Sequence, residues 1–165
     1  MEQPPKNEKD PGIKFDLSQV SSAQDKQEFL RIEQELKSPT YIPLDTIEDA
    51  EKELQRGPLL LVKNESRTIG IAGYEIKESV PYINALGFSP EFQRKGLGRA
   101  VMERLFAEYP EFKNAQRVQL RVDPTNEAAL RLYESLGFKE TERTEDWRGV
   151  KGATRILMTW EKPQS

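Results

Sequence analysis

A glycine-rich segment between an apolar strand and an amphipathic helix constrains this chain more than any other feature. It covers residues 88–99 and reads FSPEFQRKGLGR. N–H groups in the first turn of a helix have no partner within the helix, and the peptide dipoles make that end partly positive. Glycines leave those groups open to phosphate oxygens. The segment therefore predicts an anion site with two glycines and three cations: Gly96, Gly98, Arg94, Lys95 and Arg99.

The composition excludes several kinds of chemistry. The 165 residues include no histidine and no cysteine. Disulfides, thiolate nucleophiles, imidazole bases and zinc sites of the usual ligand types are therefore ruled out, and no metal is expected. Proton transfer must rely on carboxylates, tyrosines, lysines or water. The net charge of −3 disfavours a nucleic-acid partner, because no global positive field would attract one.

The length and the apolar pattern predict one domain without a membrane segment. Residues 1–11 are polar and contain three prolines, which predicts a flexible N-terminal tail before a single domain over residues 12–162. Apolar runs such as residues 59–62 are too short to cross a bilayer, and the first residues lack the apolar stretch of a signal peptide. We therefore expect a cytoplasmic protein with no membrane partner.

Hydrophobic periodicity predicts an alternation of strands and helices. Strand patterns lie near residues 13–17, 59–63, 68–78, 80–88 and 117–122, and two more lie between residues 138 and 160. Helical patterns lie near residues 22–37, 46–56, 98–109 and 126–136. Thr46 is the predicted N-cap of the second helix, and Pro110 marks the end of the third. The fold class is therefore α/β (α+β), a mixed sheet of about seven strands flanked by about four helices.

Two separate motifs resemble those of the GNAT acetyltransferase superfamily. Residues 93–98, QRKGLG, match the signature Gln/Arg-x-x-Gly-x-Gly/Ala, and Pro90 lies at its usual place upstream. Residues 126–138, NEAALRLYESLGF, follow the pattern Asn-x-x-Ala-x-x-Leu-Tyr-x-x-x-Gly-Phe. The glycine-rich segment lacks the spacing of dinucleotide-binding folds and the Gly-Lys-Ser/Thr ending of a P-loop. The resemblance covers roughly residues 13–162.

The resemblance implies a GNAT-like acyl-CoA N-acyltransferase fold with a mostly antiparallel, twisted sheet. Acetyl-CoA would lie, without a metal, in a gap between the strand that ends near Phe88 and the strand that ends near Val122. Strand backbone would bind the pantetheine arm, and the glycine-rich segment would bind the pyrophosphate. Solvated surface is the alternative for the three cations. The implied cofactor-binding residues are Leu86, Gly87, Phe88, Gln93, Arg94, Lys95, Gly96, Leu97, Gly98, Arg99, Asn126 and Tyr133.

Tyr133 and Glu75 are the candidate catalytic residues. The family places the tyrosine hydroxyl beside the cofactor sulfur, where it protonates or hydrogen-bonds the departing thiolate; ordinary packing is the alternative. Many relatives carry a glutamate base on the strand that leads to the loop, but this chain has Tyr82 and Asn84 there. Glu75 and Glu78 on the preceding strand are the nearest carboxylates, and they point to opposite faces. Ordered water is an equal alternative as the proton acceptor.

The resemblance implies direct transfer of an acetyl group to a primary amine, with backbone N–H groups near Phe88 stabilising the oxyanion. The helix motif resembles the branch that acetylates ribosomal protein N-termini, but the tyrosine-rich stretch expected after it is missing. We therefore favour a small-molecule amine over a protein N-terminus or lysine. A non-catalytic acyl-CoA sensor is the alternative from another class. A monomer or homodimer is expected.

Few residues of the sequence can be assigned to the acceptor. Carboxylates in and around the first two helices would attract a cationic amine, although solvated helix faces explain most of them. They are Glu33, Glu35, Asp45, Glu48 and Asp49. Trp147 and Trp160 either line the acceptor site or pack against the sheet, and packing is the prediction.

Overall fold

The computed structural model describes residues 12–39 and 41–164, and the predicted tail, residues 1–11, lies outside the described residues. The strands in the described ranges are β1 (Asp16–Gln19), β2 (Leu59–Asn64), β3 (Arg67–Lys77), β4 (Val80–Phe88), β5 (Arg117–Val122), β6 (Lys139–Thr144) and β7 (Arg155–Glu161). The α-helices there are α1 (Ala23–Glu35), α2 (Ile47–Arg56), α3 (Leu97–Glu108), α4 (Pro110–Lys113) and α5 (Glu127–Ser135). Short 3₁₀ helices cover Pro90–Phe92 and Trp147–Gly149.

The strands form one sheet in the order β1-β2-β3-β4-β5-β7-β6. β4 and β5 pair in parallel, and the other neighbouring pairs among the described strands are antiparallel. The parallel pair requires a crossover connection, which α3 and α4 provide. The prediction of a mixed, mostly antiparallel sheet of about seven strands is confirmed.

The helix boundaries follow from local sequence signals. Ser22 and Thr46 cap α1 and α2, and each accepts a hydrogen bond from the N–H group three residues further along the chain. The predicted N-cap at Thr46 is therefore correct. Pro110 follows the end of α3 as expected, but it also begins the one-turn α4, because proline fits the first helical position. The described ranges accordingly hold five α-helices where about four were expected.

Helices cover both faces of the sheet. α1 and α2 pack on one face, where Phe29 and Ile32 of α1 meet apolar side chains of β2 and β3. α3, α4 and α5 pack on the other face, in a larger cluster that includes Val101, Phe112 and Tyr133. Since β2 lies between the two clusters, its residues 59–62 are buried on both sides, which explains their continuous apolar run.

β4 and β5 diverge soon after they begin to pair. Their parallel register contains two residue pairs, Tyr82 with Gln119 and Ile83 with Leu120. The next residue of β4, Asn84, has no partner in β3, because the register of that pair shifts by one residue there. Such a bulge bends its strand and increases the local twist. The expected gap between the two strands therefore begins at Asn84.

A buried carboxylate holds the connection between α1 and α2. Glu33 is 3% exposed, and it accepts hydrogen bonds from the Tyr41 hydroxyl (2.6 Å) and the Leu44 N–H group (2.8 Å). Burial raises the pKa of Glu33, although both hydrogen bonds favour its charged form. The sequence predicted solvent-exposed acidic residues in and around these two helices. Asp45 and Glu48 are exposed as predicted, but Glu33 is buried.

Gly57 joins α2 to β2 at a point where no side chain fits. A Cβ atom there would lie 2.1 Å from the Tyr74 carbonyl oxygen and 2.8 Å from the Glu75 Cα atom, and both are backbone atoms. We expect Gly57→Ala to lower the free energy of unfolding by roughly 1–3 kcal/mol in urea denaturation. The control is Lys52→Ala, at an exposed position of α2, which should change it by less than about 0.5 kcal/mol. Equal effects of the two substitutions would contradict this packing.

Glu33→Ala should destabilise the protein, because it leaves the Tyr41 hydroxyl and the Leu44 N–H group without their acceptor. A buried polar group without a partner costs roughly 1–3 kcal/mol, so we expect a loss of that size in the free energy of unfolding. Tyr41→Phe removes one donor and keeps the other hydrogen bond, so its loss should be smaller. Urea denaturation at pH 7 measures both variants, and unchanged stability of Glu33→Ala would be inconsistent with an anchoring role.

Candidate active site

A cleft of about 910 Å³ occupies the gap between β4 and β5. β4 contributes Asn84 and Leu86 to its wall, and β5 contributes Arg121. Asn126 and Tyr133 line it from the start and the middle of α5. The connection between α1 and α2 and the 3₁₀ helix Trp147–Gly149 also reach the cleft. The cleft therefore brings together three of the predicted site residues, which are Leu86, Asn126 and Tyr133.

One edge of β4 has no strand beside it, within the described residues, once the pairing with β5 ends. The opposite edge stays paired with β3 as far as Phe88. Backbone groups of residues 84–88 that point toward the cleft are therefore available to a ligand. The Phe88 carbonyl is occupied, because it accepts a hydrogen bond from the Gln93 side chain (3.0 Å). Gln93 thus ties the glycine-rich segment to the end of β4.

The glycine-rich segment leads into α3 without a side-chain cap. Gly96 is the N-cap and lies in the left-handed region (φ 78°), and Arg94 also has a positive φ (61°). Side chains of Ser22, Thr46 and Asn126 cap α1, α2 and α5 instead. In the described part of the chain, the N–H groups of residues 94–99 find no acceptor. These free amides, at a partly positive helix end, are suited to bind an anion.

Three cations surround this end of α3. Arg94 and Lys95 are exposed and form no ion pair with any described residue. Arg99 donates a hydrogen bond to the Ser135 hydroxyl, and its guanidinium lies 4.0 Å from the Glu103 carboxylate. Arg99 therefore links α3 to α5, whereas Arg94 and Lys95 leave their charge for a ligand or for solvent.

Tyr133 lines the cleft from α5. It is 8% exposed and packs against Phe138, with the two ring centroids 5.9 Å apart. Burial raises the pKa of Tyr133 to about 12. Its hydroxyl forms no hydrogen bond with any residue that the structure describes. The hydroxyl therefore stays protonated at neutral pH and can donate a hydrogen bond to a group in the cleft.

Asn126 meets the cleft at the N-cap of α5. Its side-chain oxygen accepts a hydrogen bond from the Ala129 N–H group (3.1 Å). The oxygen is therefore engaged in capping the helix. The NH₂ group is the part of this side chain that remains for the predicted contact with a cofactor.

Asn84 separates Glu75 from the cleft. The Glu75 carboxylate accepts a hydrogen bond from the Asn84 amide (3.2 Å) and lies 3.8 Å from the Lys77 ammonium group. Asn84 lines the cleft and Glu75 does not. Glu78 lies in the turn between β3 and β4, with a positive φ (50°). Of the two carboxylates that the sequence suggested as bases, Glu75 is therefore the one connected to the cleft, through a single hydrogen bond.

Trp147 lines the cleft, so the prediction that it packs against the sheet is wrong. It lies on a 3₁₀ helix between β6 and β7 rather than on a strand, which carries the ring away from the sheet core. The Arg121 and Arg148 guanidinium groups lie 4.6 Å and 5.2 Å from the centre of its ring. Trp160 does pack as predicted, because its ring on β7 meets Phe106 edge-on at 4.9 Å.

Arg121 is a cleft residue that sequence reasoning missed. Val118, Leu120 and Val122 of β5 are buried on one face, and Arg121 points to the other face. Its Nη1 atom donates to the Tyr82 hydroxyl (3.3 Å). Its Nε atom is buried and has no acceptor among the described residues. One sequence signal could have identified it. Arg121 stands near the end of a strand with alternating apolar residues, shortly before the helix that carries the second GNAT motif.

The cleft wall carries carboxylate, guanidinium, phenol and amide groups. Within residues 12–39 and 41–164, no group of three or more acidic side chains is arranged to hold a metal ion. None of the described helices combines the length and the apolar character needed to span a bilayer.

The sequence pattern of the Acetyltransferase (GNAT) family matches residues 26–138. The chain is also similar to the [ribosomal protein bS18]-alanine N-acetyltransferase of Escherichia coli (strain K12), with 46% identity over 55 residues. That match spans 33% of this chain and 36% of the relative, so it covers about a third of the relative's length.

Solved structures share the fold at low sequence identity. The ribosomal-protein-S18-alanine N-acetyltransferase from Escherichia coli superposes with a TM-score of 0.76 at 22% identity, covering 92% of this chain and 96% of that chain. A GNAT family acetyltransferase from Elizabethkingia anophelis with acetyl-CoA bound gives 0.68 at 16% identity, covering 90% and 98%. Spermidine N-acetyltransferase from Vibrio cholerae, in complex with CoA and spermine, gives 0.72 at 18% identity, covering 89% and 95%. With the family pattern matched over most of its length, the chain belongs to the GNAT acetyltransferase family.

Proposed function

We propose that this protein transfers the acetyl group of acetyl-CoA to a primary amine. The main support is the gap between β4 and β5, which leaves an unpaired strand edge beside the Tyr133 hydroxyl. The amide groups of a pantetheine arm can pair with such an edge. The uncapped start of α3 suits a pyrophosphate. These features match the chemistry of the donor from its phosphates to its thioester.

In this proposal the donor binds to the predicted cofactor residues. Backbone groups of Leu86 and Gly87 pair with the pantetheine arm, and Asn126 contacts it from α5. The free amides of residues 94–99 bind the pyrophosphate, and the exposed cations beside them add charge-assisted contacts. Holding the thioester in this way converts its reaction with a bound amine into an effectively unimolecular step.

The transfer proceeds by direct attack. The neutral amine attacks the thioester carbonyl carbon, and backbone N–H groups near Phe88 stabilise the negative charge that develops on the carbonyl oxygen. Collapse of the tetrahedral intermediate breaks the carbon–sulfur bond and releases the CoA thiolate. The nitrogen loses a proton and the thiolate gains one, so the products are an amide and free CoA.

Tyr133 stabilises the departing thiolate by a hydrogen bond rather than by giving up its proton. The pKa of Tyr133 is about 12, whereas an ordinary thiol has a pKa of about 8.5. Full transfer of the proton from the hydroxyl to the thiolate would therefore be unfavourable by roughly 5 kcal/mol. A hydrogen bond to a charged acceptor contributes about 1.5–3 kcal/mol without that cost.

The attacking amine loses its proton to water in the open cleft, and Glu75 acts as a positioning residue. The Glu75 carboxylate does not line the cleft, and it holds the amide of Asn84. Glu33, which does line the cleft, already accepts two hydrogen bonds. We therefore favour water, the second alternative from the sequence, as the proton acceptor.

The acceptor enters from the side of the cleft lined by Tyr41 and Trp147. By their names, relatives with this fold act on acceptors as different as alanine of a ribosomal protein and spermidine. We favour a small amine over a protein terminus, because the tyrosine-rich stretch expected of the branch that acetylates ribosomal protein N-termini is missing from this chain.

An assay of CoA release with a panel of primary amines tests the proposal. Purified protein, acetyl-CoA and each amine are mixed, and both free CoA and the acetylated amine are measured. We expect CoA release that depends on the acceptor. Calorimetric binding of acetyl-CoA, with no release from any amine or peptide, would instead support the acyl-CoA sensor. Absence of binding would contradict both functions.

Tyr133→Phe should lower kcat by about 10- to 100-fold, because the lost hydrogen bond to the thiolate is worth about 1.5–3 kcal/mol. The affinity for acetyl-CoA should stay within about twofold, since the hydroxyl acts on charge that develops during the reaction. Tyr109→Phe is the matched control, because Tyr109 packs beside Tyr74 outside the cleft. Steady-state kinetics with calorimetry measure both effects. An unchanged kcat in Tyr133→Phe would remove this residue from the mechanism.

The rate should rise with pH and then stay level beyond pH 10. The neutral amine is the nucleophile, so kcat/KM should increase until the pH passes the pKa of the acceptor. An ordinary tyrosine would lose its proton near ~10, but the pKa of Tyr133 is raised to about 12, so no descending limb is expected there. The pH–rate profile of Glu75→Gln should keep the ascending limb at the same position. An ascending limb that stays in place when acceptors of different pKa are compared, and that disappears in Glu75→Gln, would identify Glu75 as the base.

A further inference from the structure

We propose that the acceptor carries a carboxylate beside its amine, and that Arg121 binds this carboxylate. The inference rests on the proposed acetyl transfer and names its acceptor class, which is small amino acids and related amino-carboxylates. Arg121 belongs to neither sequence motif and has no part in the chemistry of the donor. Its position, its unused hydrogen-bonding capacity and the charges around it support the assignment.

Arg121 lies on β5 immediately beyond the last residue that pairs with β4. Gln119 precedes it on the same face of the strand, and Gln119 is opposite Tyr82 in the parallel register. The Arg121 side chain therefore lines the cleft at the point where the two strands separate. A group bound there lies beside the gap assigned to the thioester.

The guanidinium of Arg121 is held between aromatic rings and is not fully used. It lies 4.6 Å from the ring centre of Trp147 and 5.8 Å from that of Tyr82. Nη1 donates to the Tyr82 hydroxyl, and the buried Nε has no acceptor among the described residues. A buried donor without an acceptor is unfavourable. Nη2 forms no hydrogen bond with any described residue and is not one of the buried unpartnered atoms, so it is the nitrogen that a carboxylate in the cleft reaches. A guanidinium binds a carboxylate through two parallel hydrogen bonds, either from Nε and Nη2 or from its two Nη atoms.

The positive charge of the cleft is concentrated beside Trp147. Three carboxylates and three arginines line the cleft, which balance: Glu33, Glu53 and Asp123, with Arg121, Arg148 and Arg155. Asp123 pairs with Arg155, and Glu53 lies 3.6 Å from Arg56. Arg121 and Arg148, in contrast, form no ion pair with any residue in the described ranges. Both guanidinium groups lie against Trp147. An anion is therefore favoured here, although the chain as a whole has a net charge of −3.

A planar carboxylate fits this position better than a tetrahedral anion such as a phosphate would. The Trp147 ring beside the guanidinium restricts its movement, and the planar fork of an arginine suits a planar, bidentate partner. A phosphonate or phosphate is tetrahedral and carries more charge, so it would draw in Arg148 as well. The geometry of Arg121 alone is sufficient for a carboxylate.

Kinetics with matched acceptors test the assignment. The probes are an amino acid, its amide and its aminophosphonate, each compared by kcat/KM calculated for the neutral amine, because their amine pKa values differ. We expect the acid to exceed the amide by about 10- to 100-fold, the range for a charge-assisted hydrogen bond. Arg121→Gln should reduce that ratio to about 1, and Arg121→Lys should give an intermediate ratio because it keeps the charge without the fork. Arg143→Gln is the control, because Arg143 is exposed on β6 and lies outside this cleft.

Tryptophan fluorescence provides a readout that does not need turnover. An N-acetylated amino acid, with its amide as the comparison, is titrated into the protein with CoA bound. Because Trp147 lies against Arg121, the acid should change the emission and the amide should not. The response should be lost in Arg121→Gln, whose folding is checked by thermal unfolding and by acetyl-CoA affinity. If that variant does not fold, Arg121→Lys must show a weakened response.

The outcomes separate this inference from the proposed function. Equal kcat/KM for the acid and the amide, or equal fluorescence responses, would overturn the carboxylate site while CoA release still supported acetyl transfer. A clear preference for the aminophosphonate would also overturn it. A protein that binds no acetyl-CoA and releases no CoA, but still binds the acid through Arg121, would contradict the proposed function and leave an amino-carboxylate site.

Discussion

The early end of the parallel contact between β4 and β5 is the constraint on which the rest of the site depends. After two residue pairs the strands separate, and the backbone groups along one edge of β4 lose their neighbour. Inside a protein such groups need another partner. The bulge at Asn84 starts the separation, and the helices on the two faces cover the sheet without filling the gap. An extended ligand with amide groups can then take the place of the missing strand.

The polar groups of the cleft fall into two sets. Glu33 has its hydrogen-bonding capacity filled, and it serves to hold the connection between α1 and α2. The two buried side-chain atoms without a partner among the described residues are Asn84 Oδ1 and Arg121 Nε. Native proteins bury few unsatisfied polar groups. Both atoms belong to residues that line the same cleft.

Much of the fold could be predicted from the sequence, because the relevant signals are local. Alternating apolar residues predicted the bounds of β5, and Thr46, with acidic residues in the turn after it, predicted the start of α2. The one-turn α4 was missed because Pro110 can both follow one helix and begin another.

The candidate site was less predictable, because its residues act through distant contacts. The glycine-rich segment and Tyr133 stand in motifs that could be identified without coordinates. The burial of Glu33, the position of Trp147 and the contacts of Arg121 depend on elements far away in the sequence. A charged or aromatic residue on an amphipathic element has the same local pattern whether it faces solvent or a cavity. The spacing of apolar residues along a helix or strand therefore could not distinguish a residue that faces solvent from one that faces a cavity.

The hydrogen bond from Arg99 to Ser135 has a consequence for donor binding. It connects the helix that begins at the free amides with the helix that carries Tyr133. If the donor binds as proposed, this hydrogen bond joins the helix beside its pyrophosphate to the helix beside its thioester, so a loss of Arg99 would be felt at both ends of the ligand.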